Sequence, residues 1–183
     1  MKKCINRAVI CLLLLFGMGS IVSAQETNSF RIGSFHSAKG FGVCYEQIID
    51  EYNFDSFCLY ADMGGVLIGE HSTPGIKFNY TRDIVFKTIE REDKTVSLYA
   101  GPGLCCGYIS DFKSPKSITA GIHGTVGALL SYGHRLELSF NFSLDLAFKL
   151  IKDDRRNGTI LSLYNSGLLK PLLPEIKILY RFK

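Results

Sequence analysis

From Leu136 to Leu150 the chain reads LELSFNFSLDLAFKL, and a bulky apolar residue falls on every even number. The odd positions between them, Glu137 to Lys149, carry small, polar or charged side chains. A period of two places successive side chains on opposite faces of a strand. Shorter runs of the same kind precede this one: Phe57, Leu59, Ala61 and Met63; Ile76, Phe78 and Tyr80; Val96, Leu98 and Ala100; Ile118 to Tyr132. Ile176, Ile178, Tyr180 and Phe182 close the chain. Clusters of turn-forming residues separate the runs, at Asp50–Asp55, Glu70–Gly75, Glu90–Lys94, Ser110–Ser117, Gly133–Arg135 and Lys152–Gly158. Helical periodicity is scarce. After Ala24, charges or turn residues break each apolar run well short of the roughly 18 residues a spanning helix needs.

Strands of ten or more residues exceed the soluble average of about 5–6. The positions opposite the bulky set hold Asp62, Lys77, Asn79, Asp83, His123, Glu137, Asn141, Asp145, Lys149, Lys177 and Arg181. Glycines and serines lie among them. Such a face suits a narrow hydrated lumen, and the bulky face suits lipid. A strand survives in hydrocarbon only where a closed barrel pairs all its backbone groups, and it needs about 9–11 residues to cross. The pattern therefore predicts an all-β fold: a closed, antiparallel, eight-stranded transmembrane β-barrel. In a soluble barrel the faces would be reversed, with Phe140 and Leu144 inside.

Two threadings reach an even strand count. In one, Ser29–His36 and Phe41–Ile49 are separate strands and Thr159–Leu173 is a long external loop. In the other, Ser29–Ile49 is one strand and Thr159–Asn165 forms the seventh. Both leave the C-terminus on the periplasmic side. Gly101-Pro102-Gly103 falls inside a central strand, where proline lacks a ladder donor, so a local bulge is expected there.

The first 24 residues have a different character. Lys2, Lys3 and Arg7 precede an apolar run from Ala8 to Phe16, and Val22-Ser23-Ala24 is a small-residue cleavage site. This is the pattern of a secretory signal peptide. Cleavage would leave residues 25–183 as one outer-membrane β-barrel domain. Of the 21 basic residues, three go with the signal, so 18 face 17 acids in the remainder. A balance so near neutral, without a basic stripe, gives no support for nucleic-acid binding. Cys44, Cys58, Cys105 and Cys106 remain. Their spacing matches no zinc pattern. They read as small apolar fillers, with a Cys44–Cys58 bridge across neighbouring strands as the alternative.

Three stretches resemble a group of small, functionally unassigned outer-membrane β-barrel proteins of Gram-negative bacteria. They are YADMGGVLIGEHSTPGIKFNY (Tyr60–Tyr80), LYAGPGLCCGYISDF (Leu98–Phe112) and LSLYNSGLLKPLLPEIKILYRF (Leu161–Phe182). The architecture this implies is the eight-stranded OmpX and OmpA transmembrane-domain type. The resemblance also implies a terminal aromatic residue read by the barrel-assembly machinery. Here the chain ends Tyr180-Arg181-Phe182-Lys183, one lysine past that aromatic residue.

The lumen charges read as ion pairs that close a narrow interior, with Glu137, Asp145, Lys149, Lys177 and Arg181 within reach of one another. No residue is assigned a catalytic, cofactor-binding or metal-ligating role, and no cofactor is expected. His123 is placed in the lumen and His134 in a turn; neither shows the His-x-Ser pairing of the lipid A deacylases. The Gly101–Gly107 run lacks the Lys-Ser/Thr of a phosphate loop. The triplets at Asn79, Asn141 and Asn157 match the glycosylation pattern by chance. Tyr80, Tyr108, Tyr132 and Tyr180 are expected near strand ends, as an aromatic girdle.

The expected function is that of an integral protein of the cell outer membrane, without enzymatic activity, with a structural or surface-interaction role. Its partners would be outer-membrane lipids, the barrel-assembly machinery during biogenesis, and a surface partner met through Asp111–Ser117 or Lys152–Asn157. It is expected to be a monomer. A lipid-modifying outer-membrane enzyme and a soluble periplasmic barrel for a small apolar ligand are the alternatives.

Overall fold

The computed structural model describes residues 29–37, 40–63, 66, 74–91, 94–109, 117–133, 135–153, 158–163 and 174–182. The signal segment, His134, residues 111–116 and residues 154–157 lie outside them.

Nine strands follow one another: β1 (Phe30–Ser37), β2 (Gly40–Ile48), β3 (Asn53–Asp62), β4 (Gly75–Arg91), β5 (Lys94–Ile109), β6 (Ser117–Tyr132), β7 (Leu136–Asp153), β8 (Gly158–Leu163) and β9 (Glu175–Phe182). Each pairs antiparallel with its sequence neighbour through β7, and β9 closes the ring by pairing with both β7 and β1. The wall is thus an eight-stranded closed barrel. Among the described residues β8 pairs only with the far end of β7, Phe148–Asp153, on the same side of β7 that β9 occupies at Leu136–Asn141.

Each threading drawn from the sequence holds one piece of this arrangement. The first segment is split, because Ser37 pairs with Gly40 in a tight β1–β2 hairpin. The later segment does contain a strand, β8, because Leu161 and Leu163 continue the apolar alternation of Leu150 and Phe148 opposite them. Partners traced around the ring from Phe30 return to β1 about ten residues further on, the stagger that closure of tilted strands requires.

Pro102 does not bulge its own strand. The β5–β6 ladder runs through it as the pair Pro102↔Gly124. On the other side the β4–β5 ladder steps from Thr81↔Gly103 to Ile84↔Ala100, and its one register shift lies on β4, between Val85 and Lys87. Gly103 is needed for close approach: a Cβ there would sit 1.8 Å from the Tyr80 carbonyl oxygen. At the β6–β7 turn Gly133 takes φ +65°, a conformation open to glycine at no steric cost.

The faces are inverted relative to a water-soluble barrel. Along β7, Glu137, Ser139, Asn141, Ser143, Asp145 and Lys149 are buried inside. Phe140, Phe142, Leu144, Leu146, Phe148 and Leu150 are exposed on the outer wall, and Leu138 is half-exposed there. The reversed arrangement, with Phe140 and Leu144 inside, is excluded.

Candidate functional site

The lumen is where polar chemistry gathers. Each charged residue expected there from the alternation is found there, with Arg181 at the rim. Three more join them that the sequence patterns did not single out: Arg31 on β1, Glu46 on β2 and Glu175 on β9. β1 and β2 are short, and the two or three alternations each provides are a weak signal; Glu175 lies just ahead of the Ile176–Phe182 run. With those residues in place the ion pairs can be traced.

Two networks stand one above the other. Near the turn end, Arg31 pairs with Glu46 at 3.2 Å and with Glu137. Glu137 also meets Arg181 at 3.6 Å. Lys177 Nζ donates to Glu46 Oε1 at 3.0 Å and to Ser56 Oγ at 2.9 Å. The upper network centres on Asp145, which accepts from Lys77 Nζ at 3.1 Å and meets His123 Nδ1 at 2.5 Å. Lys77 also lies 3.5 Å from Asp62. Charges buried this deeply are tolerable only when paired. Of the five residues expected within mutual reach, Glu137 and Arg181 do meet. Lys177 and Asp145 find partners on β2 and β4 instead, because side chains cross the narrow lumen as well as running along it.

Apolar groups fill the remaining volume. Phe35, Phe54, Tyr60, Tyr99, Leu129 and Leu179 are buried inside with Cys44 and Cys58. The sequence reading reserved the interior for polar and small residues and missed these rings. An eight-stranded interior is just wide enough for side chains, and rings are an efficient filling. Phe54 meets Tyr99 edge-on at 5.1 Å, and the Arg31 guanidinium lies 5.1 Å above the Phe54 ring. Tyr99 Oη hydrogen-bonds Ser139 Oγ at 2.7 Å and also donates to Asn141. The void among Phe35, Asn79, His123 and Lys177 amounts to about 20 Å³, room for a single water.

Cys44 and Cys58 are bridged. They face each other across β2 and β3, so the filler reading fails for this pair and the alternative holds. Cys105 and Cys106 keep free thiols, one buried in the lumen and one exposed on the outer wall.

The larger void is outside. A shallow groove of about 550 Å³ runs between Pro102, Val126, Phe142 and Leu144, floored by Ala100 and Gly124. No titratable side chain lines it. His123 points into the lumen, as expected, bound to Asp145. Among the described residues no cluster of His, Cys, Asp and Glu could hold a metal ion. Of the four tyrosines, Tyr108, Tyr132 and Tyr180 do fall near strand ends. Tyr80 lies within β4 and donates to Asp55 at 3.2 Å.

No family model matches the chain, and no curated protein matches it in sequence. Among solved structures, the N-terminal β-barrel domain of Pseudomonas aeruginosa OprF is similar, at 13% identity and a TM-score of 0.49. A major outer membrane protein from Thermus thermophilus is similar at 13% identity and a TM-score of 0.48. Each likeness covers 86% of this chain and 100% of the other.

Proposed function

We propose that the chain is an integral outer-membrane barrel whose sealed lumen makes it a structural or surface-interacting protein rather than a channel or an enzyme. One observation carries this reading: β7 turns Phe140, Phe142, Leu144 and Leu146 outward and Glu137, Asn141 and Asp145 inward. Water on both sides would leave that outer wall unsatisfied, since soluble monomers rarely expose contiguous apolar patches above a few hundred Å². Acyl chains solvate it at no cost, and β9 closes the ring by pairing with both β7 and β1. The stacked ion pairs and rings of the lumen leave no room for a general solute path.

A lipid-modifying activity would need a nucleophile and a base at the lipid-facing rim. His123 is inside, held by a carboxylate, and reaches no such rim.

Heat-modifiable gel mobility of the mature chain, together with detergent-dependent extraction from outer-membrane fractions, tests the membrane reading. The expected result is a faster-migrating folded band that disappears on boiling, and recovery only with detergent. A monomer soluble without detergent would refute it.

A further inference from the structure

We propose that the β4–β5 hairpin holds anionic phospholipid headgroups against the outer wall; this rests on the membrane reading above. The hairpin overhangs the rim. β3 pairs with β4 as far as Asn53↔Ile84, and one more bond follows, from the Val85 N–H to the Tyr52 carbonyl. β4 and β5 then run on together, from Lys87↔Leu98 to Arg91↔Lys94. The register sorts the side chains of this overhang, because residues directly opposite in a ladder share a face. From Phe140 on the outer wall, partners lead through Ala128 and Leu98 to Lys87. From Leu138 they lead through Leu130 and Val96 to Ile89, and from Leu136 through Tyr132 and Lys94 to Arg91. Lys87, Arg91 and Lys94 therefore continue the lipid-facing wall. From the buried Glu137, partners lead through Ser131 and Thr95 to Glu90, which lies on the lumen face. β5 and β6 contain no acid at all. Among its described residues, the charges on the outer face of the overhang are thus all basic.

The apolar belt decides what these cations meet. Tyr132 stands opposite Leu136, the first apolar residue on the outer face of β7, and Lys94 Nζ lies 5.4 Å from the Tyr132 ring centroid. Phe86 and Ile89 are exposed beside Lys87. Water alone would leave Phe86 and Ile89 bare, and hydrocarbon would strand Lys87, Arg91 and Lys94 without counter-charge. The boundary between acyl chains and headgroups satisfies both. There, long basic side chains lay their stems on apolar surface and keep their charged ends in the polar layer. Headgroups of net negative charge supply the counter-charge. Arg82, earlier on β4, has its own partner in Asp55 at 3.3 Å. Asp50 and Glu51 flank the point where Tyr52 meets Val85, at the start of the overhang and away from Arg91. Glu92 and Asp93 lie outside the described residues, and the face is defined by the ladder residues alone. Arg135, between β6 and β7, adds a cation on the same rim, where it donates to the Tyr180 hydroxyl at 2.9 Å.

The chain contains no tryptophan, so one inserted at a time reports on the lipid beside it. Leu98→Trp places the reporter opposite Lys87, and Val43→Trp places a control on β2, opposite Leu59. Each protein is folded in phosphatidylcholine vesicles that contain a small, equal fraction of either brominated phosphatidylglycerol or brominated phosphatidylcholine. At position 98 the glycerol lipid should quench about fivefold more than the choline lipid, the ratio that one basic contact of typical strength gives. At position 43 the two should quench alike. Adding Lys87→Gln, Arg91→Gln and Lys94→Gln together should bring position 98 to the control ratio, with the heat-modifiable band confirming the fold. Arg91→Gln alone should lower the ratio partway. Glu90→Gln shifts the net charge on the lumen face and should leave position 98 unchanged. Equal quenching by both lipids at position 98 would overturn the proposal and leave the membrane reading intact. So would a preference that survives the triple substitution, or one that rises with Glu90→Gln. No quenching at either position by either lipid would refute the membrane reading itself.

Discussion

The two faces of β7 pose opposite problems. Its outer face, from Phe140 to Leu150, has only to be apolar, and one large hydrocarbon side chain can stand in for another. Its inner face has to match particular partners: Glu137 with Arg31 and Arg181, Asp145 with Lys77 and His123. The outer wall is thus specified by type and the lumen by identity. Substitutions should separate the two faces by how strongly size, charge and partner matter on each.

The largest effect is expected inside. Glu46→Ala would leave Arg31 and Lys177 without their shared carboxylate, and breaking a buried pair from one side costs about 3–5 kcal/mol. Urea titration of the detergent-folded protein, read by heat-modifiable mobility, should show a loss of that order or no folded band. Glu46→Gln keeps the acceptor oxygen but not the charge, and should fall between. Outcomes within error of the native protein would mean that the lumen pairs contribute nothing to stability.

Outside, charge should matter and shape should not. Phe142→Arg sits near the middle of the β7 belt, where a lipid-facing cation costs about 2–4 kcal/mol. Phe142→Leu remains apolar, and in phosphatidylcholine vesicles its unfolding free energy should stay within about 1 kcal/mol of native. If the leucine variant were as damaged as the arginine one, the face would be packed against something specific, not solvated by lipid.

How much of this the sequence disclosed follows from the same contrast. An outer face that needs only apolarity writes itself as alternation, and the long strands β4 to β7 repeat it often enough to read. The lumen charges on those strands were legible as the complementary set. Arg31 and Glu46 were not, because β1 and β2 have at most nine residues each, and Glu175 was not because it lies just ahead of the Ile176–Phe182 run. Nor were the interior rings: Phe54 lies three before the outward Phe57 and so falls on the inner face, which was read as reserved for polar and small residues. The disulfide was an open alternative because bridging depends on register too, and the sequence alone did not set Cys44 opposite Cys58.

That bridge gives a third, smaller effect, again within the lumen. Cys44 and Cys58 are separated by 14 in sequence, and a covalent tie over a loop of that size contributes about 2–3 kcal/mol by limiting the unfolded chain. The flanking ladders already hold β2 to β3, so the folded barrel should survive Cys44→Ala/Cys58→Ala with its mobility shift intact and a lowered urea midpoint. Loss of the folded band altogether would show that the bridge is needed to assemble the barrel, and not merely to stabilise it.

The smallest effect lies off both faces, at the β2–β3 turn. Asp50 Oδ1 accepts hydrogen bonds from the Asn53 side-chain amide at 2.9 Å and the Tyr52 backbone N–H at 2.8 Å. These bonds, the Asn53 one first, hold its carboxyl below the ordinary value of 3.8. A carboxyl lowered on folding adds stability that is present above its unfolded value and is lost as pH falls through its folded one. The group is fully exposed, so water and salt screen most of the contribution. Asp50→Asn keeps an acceptor oxygen for the Tyr52 N–H but removes the titration. Unfolding midpoints measured from pH 6 down to below pH 4 should therefore converge for the two proteins at the acid end, with the native chain slightly ahead only at the neutral end. A difference that instead grew with acid would reverse the sign and rule out the turn carboxylate as its source.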